Sequence, residues 1–123
     1  SSIQQGINAA SDGDTVLVAA GTYYENINFS GKDIVVQGEN RETTIIDGNQ
    51  NGTVVYINDG DLDLTKIKGF TIQNGNGKSV SGQKYGGGIF VETGAFVLIE
   101  ENIIKNNAID CIFICQIGLF QFK

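Results

Sequence analysis

Apolar stretches recur along this chain at a spacing typical of stacked repeats. Each follows a glycine. After Gly31 comes Lys32-Asp33-Ile34-Val35-Val36-Gln37-Gly38. After Gly60 comes Asp61-Leu62-Asp63-Leu64-Thr65-Lys66-Ile67-Lys68-Gly69, and after Gly94 comes Ala95-Phe96-Val97-Leu98-Ile99-Glu100-Glu101. The intervals between these glycines are 29 and 34 residues, within the range that marks repeat architectures. A unit of that size is too small to bury its own apolar face, so neighbouring units must stack.

The repeats read as strands. Ile67–Asn74 aligns with Ile99–Asn106 at an offset of 32, and Thr44-Ile45-Ile46-Asp47-Gly48 looks like the same piece one unit earlier. Gly52–Gly60 aligns with Gly86–Gly94. All are short runs rich in Val, Ile, Thr, Phe and Tyr, bounded by Gly, Asn and Asp. About three strands per unit predict the coils of a parallel β-helix, stacked about 4.8 Å apart. Asn51-Gly52, Asp47-Gly48, Asp59-Gly60 and Asn74-Gly75 supply turn residues that tolerate positive φ. Proline is absent, so every backbone N–H between coils is available as a donor.

The first thirteen residues differ. Ser2-Ile3-Gln4-Gln5 reads as a capping box, with Ile3, Ile7 and Ala10 on one helical face and Gly13 placed to end the helix. Such a helix would cover the open edge of the first coil. With 123 residues the chain has room for one domain: a capping helix over 1–13, coils over 14–108, and an apolar last rung or cap over 109–123. The net charge of −6 argues against nucleic acid or an anionic membrane as partner. No apolar run has the length of a membrane span. Cys111 and Cys115 sit four residues apart on one expected strand, too far for a disulfide, and are expected to be buried free thiols. Without a histidine or a further cysteine, a metal pair lacks its other ligands.

The stretch from Ser2-Ile3-Gln4-Gln5-Gly6-Ile7-Asn8-Ala9-Ala10 through Gly13-Asp14-Thr15-Val16-Leu17-Val18 to Gly21-Thr22-Tyr23-Tyr24-Glu25-Asn26-Ile27 resembles the N-terminal cap and first coil of right-handed parallel β-helix proteins of the pectin lyase-like superfamily. The resemblance extends to about residue 108 and implies an all-β, right-handed, single-stranded parallel β-helix of three to four coils. It speaks for fold rather than activity, because the same opening precedes lyases, hydrolases, esterases and non-enzymes. Members usually continue for several more coils, so this chain is expected to be the N-terminal part of a larger extracellular or surface protein. Pectin methylesterases would draw their two aspartates, glutamine and arginine from later coils. The arginine and calcium-binding aspartates of pectate lyases and the three aspartates of polygalacturonases have no counterpart that can be assigned. Arg41 is the only arginine and sits in an apparent turn.

Candidate site residues remain. On an alternating strand Asp59, Asp61 and Asp63 project from one face, where paired carboxylates can raise a pKa for acid–base work. A solvated turn, with Lys66 and Lys68 balancing the charge, is the plainer reading. Asp47, Asn49 and Asn51 match the first half of an EF-hand-like calcium loop. Position twelve is Asn58 rather than Glu, and a polar turn between strands is again the plainer reading. Tyr56, Tyr85 and Phe90, with Tyr23 and Tyr24, are candidates for a sugar-binding face, or packing around the coils. Gly86-Gly87-Gly88 reads as a bend at a coil corner, not a phosphate cradle. Asn74, Asn76, Asn102, Asn106 and Asn107 fall near equivalent turns, where amide ladders would stabilise the stack. Asn28-Phe29-Ser30 and Asn51-Gly52-Thr53 match the N-glycosylation triplet, which chance often produces.

Two functions follow as expectations. The first is a non-catalytic scaffold or recognition module for carbohydrate or another protein. The second is a carbohydrate-active enzyme on acidic polysaccharide, with the chemistry near Asp61. The apolar tail from Ile112 to Phe122 also predicts a homo-oligomer through the C-terminal end.

Overall fold

A computed structural model describes residues 2–58, 65–92, 97–109, 111–114 and 120–122. It begins with helix α1 (Ile3–Ala9), followed by strands that come in threes. The first set is β1 (Thr15–Val18), β2 (Gly21–Tyr24) and β3 (Ile27–Asn28); the second is β4 (Val35–Gly38), β5 (Thr44–Asp47) and β6 (Val55–Ile57). The third is β7 (Lys66–Lys68), β8 (Thr71–Gln73), an added pair β9 (Lys78–Val80) and β10 (Gln83–Tyr85), then β11 (Ile89–Val91). The fourth is β12 (Val97–Glu100), β13 (Ile103–Lys105) and β14 (Ile112–Ile114), after which comes β15 (Phe120–Phe122).

Each set gives one strand to each of three sheets. The first sheet runs β1-β4-β7-β12-β15, the second β2-β5-β8-β13 and the third β3-β6-β11-β14. Among the described residues every pairing in these three sheets is parallel, and β9 and β10 pair only with each other, antiparallel. The protein is therefore all-β, built on parallel sheets with one short helix among the described residues. Alternation along the strands sends Val36, Ile67 and Ile99 of the first sheet, Ile46 and Ile72 of the second, and Ile57, Ile89 and Val91 of the third into one common core. Phe29 and Phe70, both fully buried, fill the space where strands turn.

The observed registers refine the sequence alignment. Ile67 pairs with Ile99 and Thr71 with Ile103, both at the offset of 32 read from the sequence. Val55 pairs with Ile89, as the Gly52–Gly60 and Gly86–Gly94 alignment requires. The glycine-anchored alignment of the first sheet is off by two residues. Gly31 over Gly60 sets Val36 against Thr65, whereas Val36 pairs with Ile67; Gly60 over Gly94 sets Lys66 against Glu100, whereas Lys66 pairs with Leu98. A two-residue slip leaves every side chain on its original face, so the apolar pattern alone does not distinguish the registers.

The helix forms as expected and ends earlier. Ser2 caps it with a reciprocal box: Gln5 N donates to Ser2 Oγ at 3.1 Å, and Ser2 N donates to Gln5 Oε1 at 2.9 Å. Its C-cap is Ala10 rather than Gly13; Gly13, at φ 92°, lies in the turn that follows. Ile3 and Ile7 are buried in the core. The two remaining N-terminal N–H groups meet a carboxylate: Ile3 N donates to Glu25 Oε2 at 2.9 Å and Gln4 N to Glu25 Oε1 at 3.0 Å. At the other end Lys32 Nζ donates to the carbonyls of Ile7, Asn8 and Ala10 at 2.9, 2.9 and 2.7 Å. An anion at the N-terminus and a cation at the C-terminus both complement the helix dipole. The Gln4 amide accepts from Asn28 N at 2.8 Å and donates to Asn28 O at 3.0 Å, so a side chain takes the place of a neighbouring strand on β3.

Asparagines tie the sets together, but not by stacked amides. Asn102 Oδ1 accepts from Phe70 N and its Nδ2 donates to Ile67 O, both at 3.0 Å. Asn107 makes the same pair of bonds with Gly75 N at 2.8 Å and Ile72 O at 3.0 Å. Each amide thus reaches back to the backbone of the preceding set at a turn. Lys66 and Lys68 pair with Glu100 at 3.3 Å and Glu101 at 3.2 Å, a role the sequence reading gave to the aspartates beside them. Cys111 is exposed, not buried, with a free thiol; Cys115 lies outside the described residues.

Candidate binding site on the outer face of the third sheet

Where Ile57, Ile89 and Val91 point into the core, their strand neighbours must point out. Tyr56 pairs with Phe90, and Phe90 with Phe113. The three rings therefore form a row across the outer face of the third sheet. The centroid of Phe90 is 5.7 Å from that of Tyr56 and 5.2 Å from that of Phe113, with the planes tilted 30° and 39°. These are favourable offset geometries.

The β9–β10 hairpin lies over one side of this row. Tyr85 stacks on Phe113 with centroids 4.6 Å apart, and Lys78 Nζ sits 5.2 Å from the centre of the Tyr56 ring. Beneath the hairpin Phe90 is only 1% exposed although it faces away from the core, so this sugar-face candidate is covered. Tyr56 and Tyr85 keep partial access. The Tyr56 hydroxyl donates to Glu92 Oε2, which fixes the ring edge.

Beside Tyr56 a groove of about 300 Å³ runs between the hairpin and the preceding turns, lined by Asn26, Asn28, Thr53, Tyr56, Gly77 and Lys78. Asn28 Oδ1 accepts from Ser30 N at 2.7 Å; among the described residues its Nδ2 has no protein acceptor. The Thr53 hydroxyl donates to Gly86 O and holds the hairpin base. Asn26 Nδ2 serves the corner itself, donating to Thr53 O at 3.0 Å and to Asn51 O. The groove thus offers a partly open ring, an ammonium and an amide.

The other candidates fall elsewhere. Asp59, Asp61 and Asp63 lie outside the described residues. Asp47 is buried, at 6% exposure, and does not gather the side chains of Asn49 and Asn51, which are exposed. Its Oδ1 accepts from Asn49 N at 2.8 Å, and its Oδ2 accepts from Gln73 Nε2 at 3.1 Å and Asn74 Nδ2 at 2.9 Å. Burial pushes this carboxyl up, but hydrogen bonds from Gln73, Asn49 and Asn74 together outweigh it and hold the group below its ordinary value. Among the described residues no group of three or more Asp, Glu, Cys or His side chains converges as metal ligands would. Tyr23 is spent on structure, its hydroxyl donating to Ala19 O at 2.8 Å, while Tyr24 is exposed. The sequence reading did not offer Lys78, Phe113 and Asn28 as members of this site: alternation from Ile112 and Ile114 marks Phe113 as outward, but nothing local to Lys78 marks its partner ring.

Comparison with known proteins gives no matching family model, no matching curated protein and no matching solved structure.

Proposed function

We propose that this chain is a right-handed parallel β-helix of the pectin lyase-like kind and that it works as a non-catalytic recognition scaffold for carbohydrate in an extracellular or surface setting. The fold half of the proposal is supported by four successive strand sets that each supply one strand to each of three parallel sheets, together with the Ser2–Ile27 resemblance. The functional half is carried by one observation: the partly open Tyr56 ring, at one end of the outward row with Phe90 and Phe113, lines a groove of about 300 Å³ together with Lys78 and Asn28. A ring face presents a partial negative charge to the polarised C–H groups of a pyranose, while Lys78 and the Asn28 amide suit hydroxyls or a uronate carboxylate. Such groups bind and orient a polyol.

The test combines binding with chemistry. Oligogalacturonates and neutral oligosaccharides are titrated against the chain and against Tyr56→Ala, while unsaturated product, reducing ends and methanol are followed with and without calcium. Binding that weakens about 10-fold or more in Tyr56→Ala, with no product, is the expected result. Product on any readout overturns the non-catalytic reading and moves the chemistry to Asp59, Asp61 and Asp63. Saccharide binding that Tyr56→Ala leaves unchanged overturns the site.

A further inference from the structure

We infer that the β9–β10 hairpin is a hinged cover over the aromatic row, and that a ligand reaches Phe90 and Phe113 only when the hairpin swings away. The inference rests on the recognition reading for what enters, but not for the motion. Four observations carry it.

First, the hairpin is an addition to the fold. It lies between β8 and β11 and joins none of the three parallel sheets. Second, its hold on the body is slight. No backbone hydrogen bond links residues 78–85 to the rest of the described chain, and their side chains are largely exposed. Its ring contacts with the body are Lys78 over Tyr56 and Tyr85 on Phe113. A two-stranded hairpin is marginal by itself, so such an attachment places it at the low-stability end of the molecule. Third, glycines at positive φ flank it: Gly77 at 87° before β9 and Gly86 at 58° after β10. Neither position suits a side chain, and both allow the dihedral change a hinge must absorb. The tip is a tight turn through Ser81 and Gly82, also at positive φ, so the hairpin moves as one piece. Fourth, what it covers is apolar and outward. Phe90 is outside the core cluster yet 1% exposed, and the chain at Gly86 passes close over the Cβ atoms of Phe90 and Phe113.

With the cover shut, the groove ends at Tyr56 and Lys78. With it open, the platform lengthens from one ring to three, and Lys78 leaves the face of Tyr56. A saccharide able to span successive rings then gains stacking contacts that a single sugar cannot.

Hydrogen exchange on the full chain tests the motion without any ligand. Amides of 78–85 are expected to exchange about 100-fold or more faster than those of Ile89–Val91, with little denaturant dependence. Equal protection with the same denaturant dependence overturns the cover. A second variant replaces 78–85 by Gly-Gly. It is expected to melt cooperatively and to enhance the fluorescence of an apolar dye several-fold, because the rings are bare. Failure to fold, or unchanged dye binding, also counts against a detachable cover. Oligogalacturonate titration separates the two proposals. Fast hairpin exchange without saccharide binding keeps the cover and removes the saccharide. Binding whose association rate is the same with and without the hairpin keeps the saccharide and removes the gate.

Discussion

Asp47 illustrates how a residue that looks like a ligand becomes a strut. Its carboxylate is buried and ties one strand set to the next through Gln73 and Asn74. The bonds favour the charged form, so its pKa in the folded state lies below the ordinary 3.8. A depressed carboxyl contributes stability that is fully present above the unfolded value and lost as pH falls through the folded one. Asp47→Asn is therefore expected to cost about 1–2 kcal/mol at pH 7, and the gap between the two proteins should close as urea unfolding is repeated below pH 3.8. Gly75 is constrained differently. A Cβ there would overlap the carbonyl oxygen of Gly87, in the same strand set on the far side of the hairpin, so Gly75→Ala should destabilise by about 2–3 kcal/mol. Gly87 is similarly pressed against Ala108, which fits the corner role read for the Gly86–Gly88 run. The glycine-rich corner was legible in the sequence; the destination of the Asp47 carboxylate was not, because its partners stand 26 and 27 residues away.

At the scale of elements, α1 is held at both ends by side chains from the first strand set and the turn after it. It has seven residues, too few to persist alone in water, so Ile3 and Ile7 in the core and the clamps of Glu25 and Lys32 must sustain it. Glu25→Ala and Lys32→Ala should each cost about 1–3 kcal/mol. The losses should add in the double variant, since the two act at opposite helix ends; denaturant titration of the three variants checks this. The sequence pattern located the helix and its capping box because those signals are local. The clamps are separated by 22 and 25 residues and leave no periodic trace. One register in each sheet was legible to the residue, since Ile67 over Ile99, Thr71 over Ile103 and Val55 over Ile89 all follow from the aligned sequence pieces. In the first sheet the glycines misled by two residues, because loops of unequal length separate them from the strands they precede.

For the molecule as a whole, one core shared by three sheets predicts that unfolding is cooperative and that stability is carried by contacts between strand sets. The last described strands of the second and third sheets, β13 and β14, have a partner on one side only among the described residues, and Ile112, Phe113 and Ile114 are half-buried. Such an edge templates further pairing. We expect the chain to self-associate through it, with a light-scattering mass that rises with concentration into the high micromolar range; a strictly monomeric mass would refute this. Self-association there would meet the aromatic row at Phe113 on β14, while Tyr56 lies two strands in. On the proposed reading, the outer aromatic row is where the protein meets carbohydrate. Backbone NMR during an oligogalacturonate titration tests it most directly. Saturable shifts are expected at Asn28, Tyr56 and Lys78, followed by Phe90 and Phe113. Shifts confined to another face, or none at millimolar saccharide, would contradict it.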